Sequence, residues 1–183
     1  TGNTRTIAPA GLPLPRLEVI GENGELQPYA PDGKRPLAIN IWSSICAACV
    51  AELSEWSEHR DDLAGAGLDV LTLSTDHLDG AAPPEATRAA LARTSSPFPN
   101  LSISEAALKG LDFLQRSVLD RRTPLPVPST FLVNTDGELV AFYRGPVAVN
   151  QLLQDLRLTG TEQPPDARRN AAIPFPGRWI GKA

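Results

Sequence analysis

The chain has 183 residues, of which 42% are hydrophobic and 21% are charged, and its net charge is −4 at pH 7. This length predicts one domain with extensions, and the apolar share is too large for a wholly disordered chain. The acidic balance argues against a nucleic-acid partner. No apolar run reaches the ~18–20 residues that a transmembrane helix needs. Two cysteines are too few for a fold held together by disulfides.

The first elements follow from the spacing of prolines and turn residues. Residues 1–16 are rich in proline and predict an irregular N-terminal arm. Two short apolar segments, 17–20 and 25–27, flank a turn that contains two glycines, which predicts a β-hairpin.

The next stretch of the chain lacks proline and has the pattern of a β-α-β unit. Residues 37–42 are almost wholly apolar and predict a strand buried on both faces. A helical spacing of apolar residues over 46–63 predicts a helix of about five turns. A second buried strand is predicted over 68–74, parallel to the first.

The second half of the chain alternates helical and extended patterns. Helices are predicted over 83–93 and 104–118, and a hairpin over 129–143 turns at Asn-Thr-Asp-Gly. A last amphipathic helix includes Val149, Leu152 and Leu156. We expect a single domain over 17–159, followed by a proline-rich tail or linker over 160–183.

The two cysteines of the chain, Cys46 and Cys49, stand where the first buried strand passes into the helix. Free backbone N–H groups and the positive end of the helix dipole stabilise a thiolate at this position. We therefore predict that Cys46 is the attacking thiolate and that Cys49 resolves the mixed disulfide. A buried pair of small side chains, or a permanent disulfide, is the structural alternative.

The surrounding segments resemble the thioredoxin superfamily, most closely the TlpA/ResA-like extracytoplasmic thiol–disulfide oxidoreductases. One such segment is 39–52, Ile-Asn-Ile-Trp-Ser-Ser-Ile-Cys-Ala-Ala-Cys-Val-Ala-Glu. The other is 127–140, Val-Pro-Ser-Thr-Phe-Leu-Val-Asn-Thr-Asp-Gly-Glu-Leu-Val, which resembles the family's cis-proline strand and hairpin. The resemblance implies a mixed central sheet flanked by helices, with the N-terminal hairpin and a helical insert.

The resemblance also implies roles for four residues. Pro128 would be the cis-proline that faces the cysteines, and Val127 with Pro128 would bind an extended substrate. Glu52 would shuttle a proton to or from Cys49, and Trp42 would shelter the site and bind substrate. The cysteines carry the chemistry, so neither a cofactor nor a metal is expected.

This sequence departs from the family pattern on both sides of Cys46. Ile45 replaces a tryptophan that would border the substrate groove, and Ala48 replaces a proline before the second cysteine. The second change restores a backbone N–H and removes a fixed φ. The reduction potential and the direction of electron flow are therefore open.

Two other functions remain as alternatives. A peroxiredoxin-like peroxidase shares the fold, and Ser43 supplies its hydroxyl residue, but neither Arg121 nor Arg122 has an evident place beside the thiolate. A copper-binding module would use both cysteines with His59 or His77 as a third ligand.

The expected partners are protein or peptide thiols and disulfides, together with an external electron donor or acceptor. The family resemblance implies an extracytoplasmic, periplasmic or membrane-tethered location. Because the chain begins at Thr1 rather than methionine, we expect a mature form or a piece of a larger protein, with a tether or further domains outside this chain. In the tail, Phe175 and Trp179 favour docking onto the domain over a bare linker.

Overall fold

The computed structural model describes residues 4–21, 23–80, 82–119 and 123–160. Its strands are β1 Thr4–Pro13, β2 Leu17–Ile20, β3 Leu26–Tyr29, β4 Leu37–Trp42, β5 Asp69–Ser74, β6 Asn100–Ile103, β7 Ser129–Val133 and β8 Glu138–Arg144. Its helices are α1 Ala47–Glu58, α2 Arg60–Gly65, α3 Pro84–Thr94, α4 Glu105–Leu119 and α5 Val149–Thr159, with a 3-10 turn over Leu78–Gly80. None of the described helices is both long and apolar enough to span a membrane.

The strands form one mixed sheet in the order β1-β8-β7-β4-β5-β6-β2-β3. The central strand β4 pairs parallel with β5 and antiparallel with β7. The β-α-β unit, the hairpin of β2 and β3, and the hairpin of β7 and β8 are all confirmed. The mixed α/β architecture expected from the resemblance is therefore present.

Successive side chains of β4 point to opposite faces of the sheet and pack into two apolar layers. Ile39 and Ile41 pack on one face with Leu111 of α4. Ala38 lies on the opposite face, in the layer formed with Trp56 of α1 and Leu152 of α5. Asn40 and Trp42 have the same parity as Ala38, so β4 presents them to the side where α1 lies.

The prediction of an irregular N-terminal arm is wrong for most of its length. Residues 4–13 form β1, which pairs antiparallel with β8 at the edge of the sheet. An edge strand tolerates proline because it pairs on one side only, and the register of β1 shifts between Ile7 and Leu12. Ile7 is buried in the core, which explains why the strand packs despite its prolines.

Two further elements differ from the sequence prediction. The single helix predicted over 46–63 is two helices, α1 and α2, which meet at His59. The strand β6 is absent from the sequence prediction; it has four residues, lies between Pro99 and α4, and pairs with both β5 and β2. The expected docking of the tail falls outside the described residues.

Candidate active site

The two cysteines lie at the N-terminus of α1 and form a disulfide with a Cα–Cα distance of 5.3 Å. Cys46 is the N-cap residue of α1, with extended backbone angles, and its sulfur accepts a hydrogen bond of 3.2 Å from the backbone N–H of Cys49. An N–H donor and the positive end of the helix both favour a thiolate at this sulfur once the disulfide is reduced.

The two sulfurs differ in accessibility. Cys49 is fully buried and packs with Trp42, Leu53 and Ala90. Cys46 is only half-buried at the edge of the same cluster. An incoming disulfide can therefore approach Cys46, whereas Cys49 is accessible only to a partner already attached to Cys46.

The loop before β7 lies against the attacking cysteine. The Val127–Pro128 peptide bond is cis, as the family resemblance implies. The carbonyl oxygen of Val127 lies 3.7 Å from the Cys46 sulfur. The side chain of Val127 is exposed, and so is that of Ile45, of which 68% is accessible. We call Ile45 and Val127 the apolar rim of the site.

Glu52 lies on α1, one turn after Cys49, and only 3% of it is exposed. Its Oε2 accepts a hydrogen bond of 2.8 Å from Asn40 Nδ2, and its Oε1 accepts one of 2.7 Å from the backbone N–H of Val147. Burial is the main reason that the pKa of Glu52 is raised to about 7; the two donors lower it and the charge of Glu55 adds to the rise, and the value is the net of all these effects. The carboxyl can therefore gain and lose a proton near neutral pH.

Trp42 does not occupy the position of a substrate-binding residue. It is fully buried beneath the disulfide, where it contacts the cluster around Cys49. Its indole N–H donates to Asn100 Oδ1 at 2.9 Å, which fixes the ring within the core. This placement agrees with the expectation that Trp42 shelters the site. It does not agree with the expected substrate contact, because no part of the ring reaches the surface.

A buried carboxylate that the sequence analysis missed supports the loop before Cys46. Asp76, just after β5, accepts hydrogen bonds from the Ser43 hydroxyl at 2.6 Å, the Ser44 backbone N–H at 2.9 Å and the Thr87 hydroxyl at 2.5 Å. Burial raises the pKa of Asp76, but these donors together outweigh burial and lower it. The sequence signal was an acidic residue at the carboxyl end of the strand next to β4.

Asn40 was also missed as part of the site. The sequence signal was an amide in the middle of an apolar strand, within the segment that carries the family resemblance. Its amide links the Glu52 carboxyl to Thr130 of β7, two residues after the cis-proline.

The residues of the two alternative functions lie apart from the cysteines or are otherwise engaged. The Ser43 hydroxyl donates to Asp76 rather than to the Cys46 sulfur. His59 lies at the end of α1 and pairs with Asp62. Within the described ranges, no three histidine, cysteine or acidic side chains form a group able to hold a metal ion. Arg121 and Arg122 fall outside those ranges.

Solved structures with the same fold come from several bacteria. A thiol:disulfide interchange protein from Bacteroides sp. is 17% identical, with a TM-score of 0.59 over 86% of this chain and 94% of that one. A thioredoxin-family thiol:disulfide interchange protein from Chlorobium tepidum TLS is 11% identical, with a TM-score of 0.63 over 82% and 97%. A secreted Mycobacterium tuberculosis disulfide oxidoreductase is 15% identical, with a TM-score of 0.54 over 78% and 95%.

These neighbours are thiol:disulfide oxidoreductases, and at this level of identity they show a shared thioredoxin-like fold. No curated protein matches the sequence significantly. A family model described as the AhpC/TSA family matches residues 10–142. Because that match spans more than half of the sequence, the chain belongs to the AhpC/TSA family.

Proposed function

We propose that the protein is a thiol–disulfide oxidoreductase that exchanges the Cys46–Cys49 dithiol and disulfide with cysteines of protein or peptide substrates. One observation carries the proposal: a half-buried sulfur at a helix N-terminus accepts an N–H and is bonded to a second, fully buried sulfur. A purely structural disulfide would not require this difference in accessibility.

The reduction of a substrate disulfide takes two steps. The Cys46 thiolate attacks one substrate sulfur, forms a mixed disulfide, and releases the other substrate sulfur as a thiolate that takes up a proton. Cys49 then loses its proton and attacks the Cys46 sulfur, which closes the intramolecular disulfide and releases the second substrate thiol. Two electrons pass from the protein to the substrate, and the reverse sequence oxidises a dithiol.

Glu52 is the proposed proton acceptor for Cys49. The two residues are three apart on α1, so their side chains are neighbours on one helix face, and both are buried. A carboxyl whose pKa is about 7 can accept the thiol proton and return it in the reverse reaction.

The surface around Cys46 supports an extended substrate segment with apolar neighbours. Val127, the residue before the cis-proline Pro128, brings its carbonyl group beside the reacting sulfur, and the apolar rim offers Ile45 and Val127 to side chains that flank the substrate cysteine. Trp42 has no part in this contact.

We also propose that the protein acts outside the cytoplasm, with an external electron donor or acceptor. The secreted disulfide oxidoreductase among its structural neighbours supports this location. The sequence holds no third cysteine to receive electrons from the Cys46–Cys49 pair, which is consistent with an external donor or acceptor.

Turnover of a disulfide substrate such as insulin tests the proposal. Cys46→Ser should reduce turnover to the uncatalysed rate, because no attacking thiolate remains. Cys49→Ser should also stop turnover, because the mixed disulfide is not resolved. Ala51→Ser, which adds a hydroxyl to the exposed face of α1, is the matched control and should retain the wild-type rate.

The same preparation distinguishes the peroxidase alternative. A dithiol exchanger should reduce the disulfide much faster than hydrogen peroxide. If peroxide is the faster substrate, or if both cysteine variants retain full turnover of the disulfide, the proposed function is wrong.

A further inference from the structure

Asn40 is a buried amide in the middle of β4, a strand whose residues are all buried. It is fully buried between Ile39 and Ile41, whose side chains point to the opposite apolar layer. Burying an amide is costly unless its polar atoms are hydrogen-bonded. The hydrogen-bond partners of Asn40 therefore indicate what the amide does.

The amide nitrogen of Asn40 bridges two elements of the site. Nδ2 donates to Glu52 Oε2 at 2.8 Å and to Thr130 Oγ1 at 3.0 Å. Asn40 and Thr130 are direct partners in the antiparallel pairing of β4 with β7. The pairing of the two strands thus sets the position from which Asn40 meets the Glu52 carboxyl.

The second carboxylate oxygen of Glu52, Oε1, is also linked to the region of the cis-proline. Glu52 Oε1 accepts the N–H of Val147, in the loop that follows β8. The N–H of Gly145, at the start of that loop, donates to the carbonyl of Pro128 at 2.9 Å. Oε2 is therefore linked through Asn40 to β7, and Oε1 is bonded to the loop whose first residue donates to Pro128.

We propose that Asn40 is a positioning residue for disulfide exchange, which holds the Glu52 carboxyl in place and favours its ionised form. The inference rests on the proposed function. The NH₂ group of Asn40 can only donate, so it suits a carboxylate oxygen, which can only accept, better than the hydroxyl of the neutral acid.

The orientation of the amide follows from its two partners. Asn40 Oδ1 is buried and has no hydrogen-bond donor among the described residues, whereas the NH₂ group donates to both Glu52 and Thr130. A leucine of similar size could fill the site but could not donate to the carboxylate.

The groups that face Glu52 determine the sign of the expected effect. Glu55, on the same helix, contributes a negative charge that raises the pKa of Glu52, and both cysteines lie on α1. Asn40 and Thr130 from the strands, and the Val147 N–H, are uncharged. The Asn40 donor lowers the pKa of Glu52, so its loss should raise that pKa further.

The test follows the Glu52 carboxyl carbon by NMR through a pH titration of the oxidised protein. Asn40→Leu should move the titration midpoint upward by about one pH unit, the size expected for loss of a charge-assisted hydrogen bond. The inflection in the pH dependence of disulfide exchange should move in the same direction. If Asn40→Leu does not fold, Asn40→Ser, whose side chain is too short to reach the carboxyl, should shift the midpoint in the same direction.

Thr72→Val is the matched control. Thr72 lies directly beside Asn40 on β5, is equally buried, and donates to Pro99 and Asn100 instead of Glu52. It should destabilise the sheet without moving the Glu52 midpoint. If the Asn40 variants leave the midpoint at the wild-type value while wild type still exchanges disulfides, the inference is overturned. If wild type exchanges no disulfides, the proposed function fails, and the role of Asn40 in exchange fails with it.

Discussion

At the scale of single residues, the site depends on where each titratable or reactive group is buried. Cys46 is partly accessible at a helix N-terminus, whereas Cys49 is enclosed with Trp42 and Leu53. Glu52 is enclosed as well, and burial is the largest influence on its pKa. These differences separate the attacking group, the resolving group and the proposed proton acceptor.

Glu52→Gln should change the pH dependence of stability. Because folding raises the pKa of Glu52 from 4.5 to about 7, the folded state binds this proton more tightly than the unfolded chain. The corresponding stability is full below pH 4.5 and is lost as pH rises to about 7. Between about pH 4 and about pH 8, the variant should gain about 3 kcal/mol in unfolding free energy relative to wild type.

Chemical denaturation of the oxidised proteins at the two pH values checks this expectation. The low-pH comparison is the control, because Glu52 is then mostly protonated in both the folded and the unfolded wild type. A constant difference between variant and wild type at both pH values would contradict the raised pKa of Glu52.

At the scale of elements, the loop before Cys46 depends on a carboxylate from the neighbouring strand. Asp76→Ala removes the acceptor of the Ser43 hydroxyl, the Ser44 N–H and the Thr87 hydroxyl, and leaves buried donors without a partner. We expect a loss of about 3 kcal/mol in unfolding free energy and faster amide exchange at Ser44. Urea denaturation and hydrogen exchange measure the two effects.

Asp136→Ala is the control for this variant, since Asp136 is an exposed acidic residue in the turn between β7 and β8. It should leave the amide exchange of Ser44 at the wild-type rate. Equal rates in the Asp76 and Asp136 variants would show that Asp76 does not hold the loop.

The sequence predicted the elements whose hydrophobic pattern is strong and local. β4, β5 and the start of α1 follow from apolar runs and helical spacing, and together they locate both cysteines. β1 was missed because proline normally marks irregular structure, and its edge position could not be recognised locally. The end of α1 at His59 was missed because the apolar spacing continues to Leu63 across the break.

The partners of the site residues could not be read from local patterns in the same way. The Glu52 carboxyl accepts a hydrogen bond from the backbone N–H of Val147, which lies 95 positions later in the chain. The substrate contact expected of Trp42 was wrong because strand alternation turns this side chain under α1 and away from solvent. The cis bond before Pro128 follows only from the family resemblance, since most X–Pro bonds are trans.

At the scale of the whole molecule, β1 is held to the last described helix by an ion pair between a partly exposed arginine and a buried carboxylate. Arg5 Nε donates to Asp155 Oδ2 at 2.7 Å, and its second nitrogen donates to the other carboxylate oxygen. Asp155 is fully buried and also accepts from the Tyr143 hydroxyl at 2.8 Å. The pair connects the edge strand, β8 and α5 around one carboxylate.

Arg5→Ala should destabilise the protein, because the buried Asp155 carboxylate loses its cation. Tyr143 and Gln151 still donate to that carboxylate, and 33% of the Arg5 side chain is exposed, so the loss should be smaller than for a wholly buried pair. We expect a loss of about 1–3 kcal/mol in unfolding free energy, measured by denaturant titration. Arg88→Ala, which breaks an exposed pair with Glu85, should have little effect. An equally small effect for both variants would show that the pair of Arg5 with Asp155 contributes little to stability.

In the proposed mechanism Cys46 attacks the substrate and Cys49 resolves the resulting mixed disulfide. Mass spectrometry of the reduced Cys49→Ser protein, mixed with a disulfide peptide, separates these two roles. We expect a stable adduct of one peptide thiol on Cys46, and no adduct with Cys46→Ser under the same conditions. An adduct that forms equally well on Cys49 in the Cys46→Ser protein, or no adduct on either variant, would show that these roles are assigned wrongly.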